Sequence, residues 1–99
     1  MFIIQKTEHF EKWFRKLKDV RAKAIILARL KKTELGNLSN YKSVGKKVFE
    51  MKIDYGPGYR IYYMHKGDIT LLLIAGGTKS SQARDIKKAQ KIAAEIGGE

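Results

Sequence analysis

The residues best suited to chemistry flank Asp54-Tyr55-Gly56-Pro57-Gly58. On either side, Lys47-Val-Phe-Glu-Met-Lys-Ile-Asp54 and Tyr59-Arg-Ile-Tyr-Tyr-Met64 alternate with period two, the pattern of strands. If the turn closes a simple hairpin, Ile53 lies opposite Tyr59, Met51 opposite Ile61 and Phe49 opposite Tyr63. That makes one apolar face to receive helices. The same register sets Lys52 beside Arg60 and Glu50 beside Tyr62 on the other, open face. A slip by one residue would turn Arg60 inward, which is costly for a charge. Paired lysine and arginine side chains suit a phosphate, which arginine can bind bidentately, and an exposed Tyr62 ring suits base stacking. The four residues equally suit ordinary cross-strand pairing on a solvated sheet, worth ~0.2–1 kcal/mol per pair. Lys79 adds a third cation. It follows Gly76-Gly77 at the end of an apolar strand and precedes a helix, where backbone amides and the helix dipole favour an anion.

The surrounding elements must hold these residues in place. Phe2-Ile3-Ile4 reads as a short strand. Thr7 reads as an N-cap with Glu8 and Glu11 in the first turn. Phe10, Trp13, Phe14 and Leu17 then recur at helical spacing and form a core stripe. Asp19 caps a second helix to about Leu35, with Ile26, Leu27 and Leu30 on its apolar side and Gly36 as its stop. The tight join predicts an antiparallel helical hairpin. Asn37 to Gly45 reads as a polar loop, and His65-Lys66-Gly67-Asp68 as a second hairpin turn with His65 exposed. Ile69–Ala75 is apolar on both faces, as a central strand is, and Gly76-Gly77 ends it. Ser80 or Ser81 caps a final helix with Ile86, Ala89, Ile92, Ala93 and Ile96 on its apolar side, and the Gly97-Gly98-Glu99 end frays. The order β-α-α-β-β-β-α describes an α+β domain with helices packed on an antiparallel sheet.

The chain has 99 residues and a formal net charge of +11, with 43% apolar and 31% charged residues. One domain over 1–99 with a real core is expected, rather than disorder. Residues 1–45 carry 11 Lys/Arg and 4 Asp/Glu, and residues 46–99 carry 10 and 6. The charge therefore decorates a folded body rather than a basic tail, and it points to an anionic partner. With no cysteine, a disulfide scaffold, a thiolate metal site and a thiol nucleophile are excluded. His9 and His65 lack a third ligand at metal-like spacing, and Gly56-Pro57-Gly58 has neither the length nor the placement of a nucleotide-binding fingerprint. No apolar run approaches the ~20 residues of a membrane span, and the start lacks the layout of a signal peptide. A cytoplasmic protein without membrane association is expected.

Taken together, Val48-Phe-Glu-Met-Lys-Ile53, Gly56-Pro-Gly-Tyr-Arg-Ile-Tyr-Tyr63, Leu71-Leu-Leu-Ile-Ala-Gly-Gly-Thr-Lys79, Ser81-Gln82 and Asp85-Ile-Lys-Lys-Ala89 resemble the RelE/ParE toxin superfamily. More narrowly they resemble its HigB-like addiction module killer, or phage-protein, branch. The resemblance spans essentially the whole chain and implies a RelE-like fold. It further implies the toxin of a type II toxin–antitoxin pair, a ribosome-dependent mRNA endonuclease that uses the RNA 2′-hydroxyl as nucleophile and needs neither metal nor cofactor. The implied partners are a cognate antitoxin, encoded beside the chain, together with mRNA and the ribosomal RNA around it.

By the same resemblance Arg60 matches the family's strand arginine, Lys79 stands near its second basic residue, and Lys47 and Lys52 correspond to upstream catalytic lysines. Tyr62, Glu50 and Arg84 are the candidate RNA contacts. The sequence departs from the family where Ser81-Gln82-Ala83-Arg84 stands in place of a stacking tyrosine, with Tyr62 or Arg84 as substitutes. Two other activities stay open: a ParE-like inhibitor of DNA gyrase, and an inactive relative that only binds RNA or its antitoxin.

Overall fold

Local signals start both helices of the hairpin. In the computed structural model, which describes residues 1–38 and 40–97, the Thr7 hydroxyl accepts from the Phe10 amide at 3.1 Å and donates to the Ile74 carbonyl at 2.6 Å. One side chain thus caps α1 (Glu8–Lys16) and ties it to the sheet. Asp19 caps α2 (Val20–Glu34) through the Ala22 amide at 3.1 Å. Gly36, at φ +101°, lets the chain leave the helix, and its amide donates to the Thr33 carbonyl at 2.9 Å. Ala22, Ile26, Leu30 and Thr33 are buried along α2, whereas Leu27 is half exposed.

Five strands form one sheet in the order β1-β5-β4-β3-β2. They are β1 (Ile3–Lys6), β2 (Tyr41–Ser43), β3 (Phe49–Ile53), β4 (Tyr59–His65) and β5 (Thr70–Thr78). The β3–β4 register agrees with the parity argument throughout: Ile53 faces Tyr59, Lys52 faces Arg60, Met51 faces Ile61, Glu50 faces Tyr62 and Phe49 faces Tyr63. Three features depart from the expected order. β2 forms inside the segment read as a loop, antiparallel to β3. β1 runs parallel to β5, so the sheet is mixed. β5 also continues through Gly76 and Gly77 to Thr78, followed by a single 3-10 turn (Lys79–Ser81) and α3 (Gln82–Gly97). Of the end expected to fray, Gly97 closes α3, while Gly98 and Glu99 lie outside the described residues.

The two glycines belong in the strand because each lies under a side chain that leaves no room for a Cβ. An added Cβ on Gly76 would meet the Trp13 ring at 2.3–2.4 Å, and one on Gly77 would meet Asp85. Trp13 comes from α1 and Asp85 from α3, so the helices lie on opposite faces. The first face buries Met51, Ile61, Tyr63, Leu71 and Leu73 against α1 and α2. The second buries Val48, Tyr62, Leu72, Ile74 and Ala75 against Ala89, Ile92 and Ala93 of α3. The face expected to be open is covered.

Candidate phosphate site at the β3–β4 hairpin

Parity brings Lys52, Arg60 and Gly77 into one row across β3, β4 and β5, and Lys42, Glu50, Tyr62 and Ala75 into another. Because α3 lies over this face, its central residues are interior. Arg60 is 5% exposed, Glu50 2% and Tyr62 0%. The expectation of a solvated Arg60 and an exposed Tyr62 ring is therefore corrected, and Tyr62 cannot stack on a base without unpacking α3. Burial holds because the charges compensate one another. The Arg60 Nη1 donates to the Gly58 carbonyl at 2.8 Å, and its Nε lies 4.0 Å from the Glu50 carboxylate. The other Glu50 contacts are the Gln82 Nε2, which donates at 2.7 Å, and the Lys42 Nζ at 3.9 Å.

A cleft of about 230 Å³ opens over this pair between β2, β3 and the start of α3, with Lys42, Lys52, Glu50, Arg60 and Gln82 in its lining. It holds three cations around one carboxylate. Lys52 is half exposed and pairs with Asp54 at 3.4 Å. On the far side of the guanidinium, Gly58 at φ +77° brings the turn close: an added Cβ would lie 2.8 Å from Arg60 Nη1 and 3.5 Å from the Lys79 Cβ. Lys79 is exposed there, and its amide faces the Pro57 carbonyl at 3.4 Å.

The structure thus gathers Lys52, Arg60, Lys79 and Glu50 at one end of the sheet. Lys47 is not with them: it precedes β3 at the opposite end, beside His65 and Gln90. Arg84 is exposed on the first turn of α3. His65 is exposed as expected but ends β4 rather than lying in a turn. Lys42 and Gln82 are members of the site that sequence reasoning missed. Lys42 sits in a three-residue exposed strand with no apolar alternation to reveal it, and Gln82 meets Glu50 only through the fold.

Burial also sets the titration of two phenols. Burial first, and then Glu50 and Asp85, raises the Tyr62 pKa, while burial beneath α2 pushes Tyr63 up to about 12. Unfolded tyrosines ionise near pH ~10, so above that pH the unfolded state binds fewer protons. These phenols therefore leave stability unchanged below pH ~10 and reduce it as pH rises towards the folded value. Among the described residues neither hydroxyl makes a hydrogen bond of ordinary geometry, although the Tyr62 hydroxyl lies close enough to Glu50 for that carboxylate to help raise its pKa. Tyr62→Phe is accordingly expected to keep or raise Tm at neutral pH and to flatten the fall in Tm above pH ~10, as melts at several pH values would show.

No family model matches the chain. An uncharacterized protein of Haemophilus influenzae is 45% identical over 94 residues, covering 95% of each chain. Among solved structures, an arginine-to-alanine variant of Escherichia coli toxin RelE in the free state has a TM-score of 0.69 at 18% identity, over 90% of this chain and 93% of that one. A chain of the intact E. coli RelBE toxin–antitoxin complex gives 0.64 at 17% identity, over 79% and 96%. With its mixed five-stranded sheet between a helical hairpin and a C-terminal helix, the chain has the RelE toxin fold and belongs to the family of the Haemophilus influenzae protein.

Proposed function

We propose that the chain is the toxin of a toxin–antitoxin pair and cuts mRNA during translation, within the HigB-like branch of the RelE fold. The observation that carries this reading is the row of Lys52 and Arg60 with Lys79 beside it, built on a RelE fold in a chain of charge +11. In the proposed reaction the RNA 2′-oxygen attacks the adjacent phosphorus, and the bond to the 5′-oxygen breaks as that oxygen takes a proton from solvent. The products are a 2′,3′-cyclic phosphate and a free 5′-hydroxyl. The Arg60 guanidinium supplies positive charge to the pentavalent phosphorane, with Lys52 and Lys79 bounding the same phosphate. Among the described residues Glu50 is the carboxylate that lines the cleft, and in this reading it accepts the 2′-proton. A broad cationic exterior grips ribosomal RNA, and an antitoxin competes for it.

One observation favours a second reading. Arg60 and Glu50 already face one another beneath α3, as expected of a relative that binds RNA or antitoxin without cutting. Induction of the chain alone, followed by mapping of mRNA 5′ ends, separates the readings. Codon-aligned ends support cleavage, and growth arrest without new ends supports the binding-only relative. Loss of supercoiling with intact transcripts would instead indicate a gyrase inhibitor. If cleavage occurs, Lys79→Ala is expected to slow it by about 10²-fold with Tm unchanged, because the side chain is exposed. An undiminished rate removes Lys79 from the site.

A further inference from the structure

At the opposite end of the sheet from Arg60, a groove of about 670 Å³ runs between the C-terminal half of α3, the segment before β3 and the end of β4. Its floor is apolar: Met64, Ala93 and Ile96, the last 42% exposed. Its rim is basic, with Lys46 and Lys66 exposed and without a carboxylate partner among the described residues. The wall carrying Lys46 is built rather than loose. The Val44 amide donates to the Val48 carbonyl at 2.9 Å, the Val48 amide to the Gly45 carbonyl at 3.0 Å, and Gln90 Nε2 of α3 to the Val44 carbonyl at 2.8 Å.

We propose that this groove seats an acidic amphipathic segment of a partner polypeptide, its apolar side chains on Met64, Ala93 and Ile96 and its carboxylates on Lys46 and Lys66. The proposal deepens the toxin–antitoxin reading, on which it rests for the partner's identity, by giving that partner a place to dock. Charge complementarity selects an acidic occupant for a chain of +11. The floor selects a polypeptide over RNA. Among the described residues no Phe, Tyr or Trp lines the groove, so successive bases would find no stacking platform. The His65 ring is engaged edge-on with Phe49 at 5.3 Å and Tyr63 at 6.1 Å. Met64 instead offers the adaptable surface that amphipathic helices use.

The test titrates the full chain with a model helix of about five turns, Leu on one face and Glu on the other, at physiological ionic strength. A Lys-for-Glu version of the helix and a uridine oligomer are the comparison probes. The Glu helix is expected to bind saturably, with its Kd raised about tenfold by Lys46→Glu/Lys66→Glu and similarly by Ala94→Trp, which fills the groove from an exposed position without adding charge. Lys12→Glu/Lys16→Glu on α1 should leave Kd unchanged. Circular dichroism confirms that each variant is folded. The proposal is overturned if the Glu helix does not bind, if the groove variants bind like wild type, or if the Lys helix binds equally well. Capture of the uridine oligomer by the same lysines in preference to the Glu helix would make this a nucleic-acid groove and also overturn it. Growth inhibition by the wild-type chain is read in parallel. Harmless expression defeats the toxin reading while leaving the measured groove affinity standing, whereas toxicity with unaffected groove variants defeats the groove alone.

Discussion

Arg60→Ala is expected to abolish growth inhibition and to lower stability by about 3 kcal/mol, measured by denaturant unfolding beside the toxicity assay. The stability loss follows from burial. Removing the guanidinium leaves the Glu50 carboxylate, 2% exposed, with the Gln82 amide at 2.7 Å and Lys42 at 3.9 Å as its remaining partners. Breaking a buried pair from one side costs ~3–5 kcal/mol. The 4.0 Å separation and the retained Gln82 contact put this case at the low end. Alanine alone thus confounds chemistry with folding, and two further variants separate them. Glu50→Gln/Arg60→Met removes both charges and should recover most of the lost stability, because no unpaired ion remains. Arg60→Lys keeps the charge but loses the planar fork. It should fold with a Tm near wild type and still lose most cleavage. A fully active Arg60→Lys protein would mean that positive charge alone, without the planar fork, serves at this position.

That double role was half legible in the sequence. Period-two alternation around Gly56-Pro57-Gly58 places Lys52 beside Arg60 and Glu50 beside Tyr62, and the structure has that register at every pair. Alternation says which residues share a face. It does not say what covers that face. The covering signal lay one strand away: Leu71 to Ala75 is apolar on both sides, and a strand of that kind needs a layer on each. Val48, Tyr62 and Met64 complete an apolar patch on the Arg60 side for α3 to cover. The helix caps at Thr7 and Asp19 and the stop at Gly36 were readable because they are local hydrogen-bonding and backbone preferences. β2 was not, since Tyr41, Lys42 and Ser43 are all exposed and carry no burial period. The parallel pairing of β1 with β5 joins residues some sixty-seven positions apart, as in Ile3 with Thr70, and no local pattern encodes that partnership. Nor does any local pattern separate Lys47 from Lys52, because their distance from Arg60 depends on which end of the hairpin each occupies.

Gly76-Gly77 looked like a strand terminator, and the consequence of finding it inside β5 is a second large effect. Gly76→Ala is expected to destabilise the protein by about 3 kcal/mol or more, and most of its Tm loss should be steric. Gly76 has no unusual φ to relax, but its added Cβ would lie 2.3–2.4 Å from three ring atoms of Trp13. A rigid indole packed against Phe10 at 5.7 Å and Tyr59 at 6.2 Å cannot turn aside as a flexible chain end can. Relief requires α1 to lift from β5, which loosens the bond by which the Thr7 hydroxyl ties the helix to the Ile74 carbonyl. Gly67→Ala is the matched comparison. It meets nothing within 4 Å, and its φ of +92° makes the cost purely conformational, about 1 kcal/mol. Gly77→Ala should fall between them, since it meets the end of Asp85, which must first release Ser81 at 2.5 Å. Trp13 is the single tryptophan, so its fluorescence reads the displacement directly. Gly76→Ala should shift the emission to the red and lower Tm most, Gly77→Ala should lower Tm with little shift, and Gly67→Ala should leave the emission unchanged. A Gly76→Ala protein with wild-type Tm and emission would mean that Trp13 does not pack on β5, and the close approach that keeps these two glycines in the strand would be lost with it.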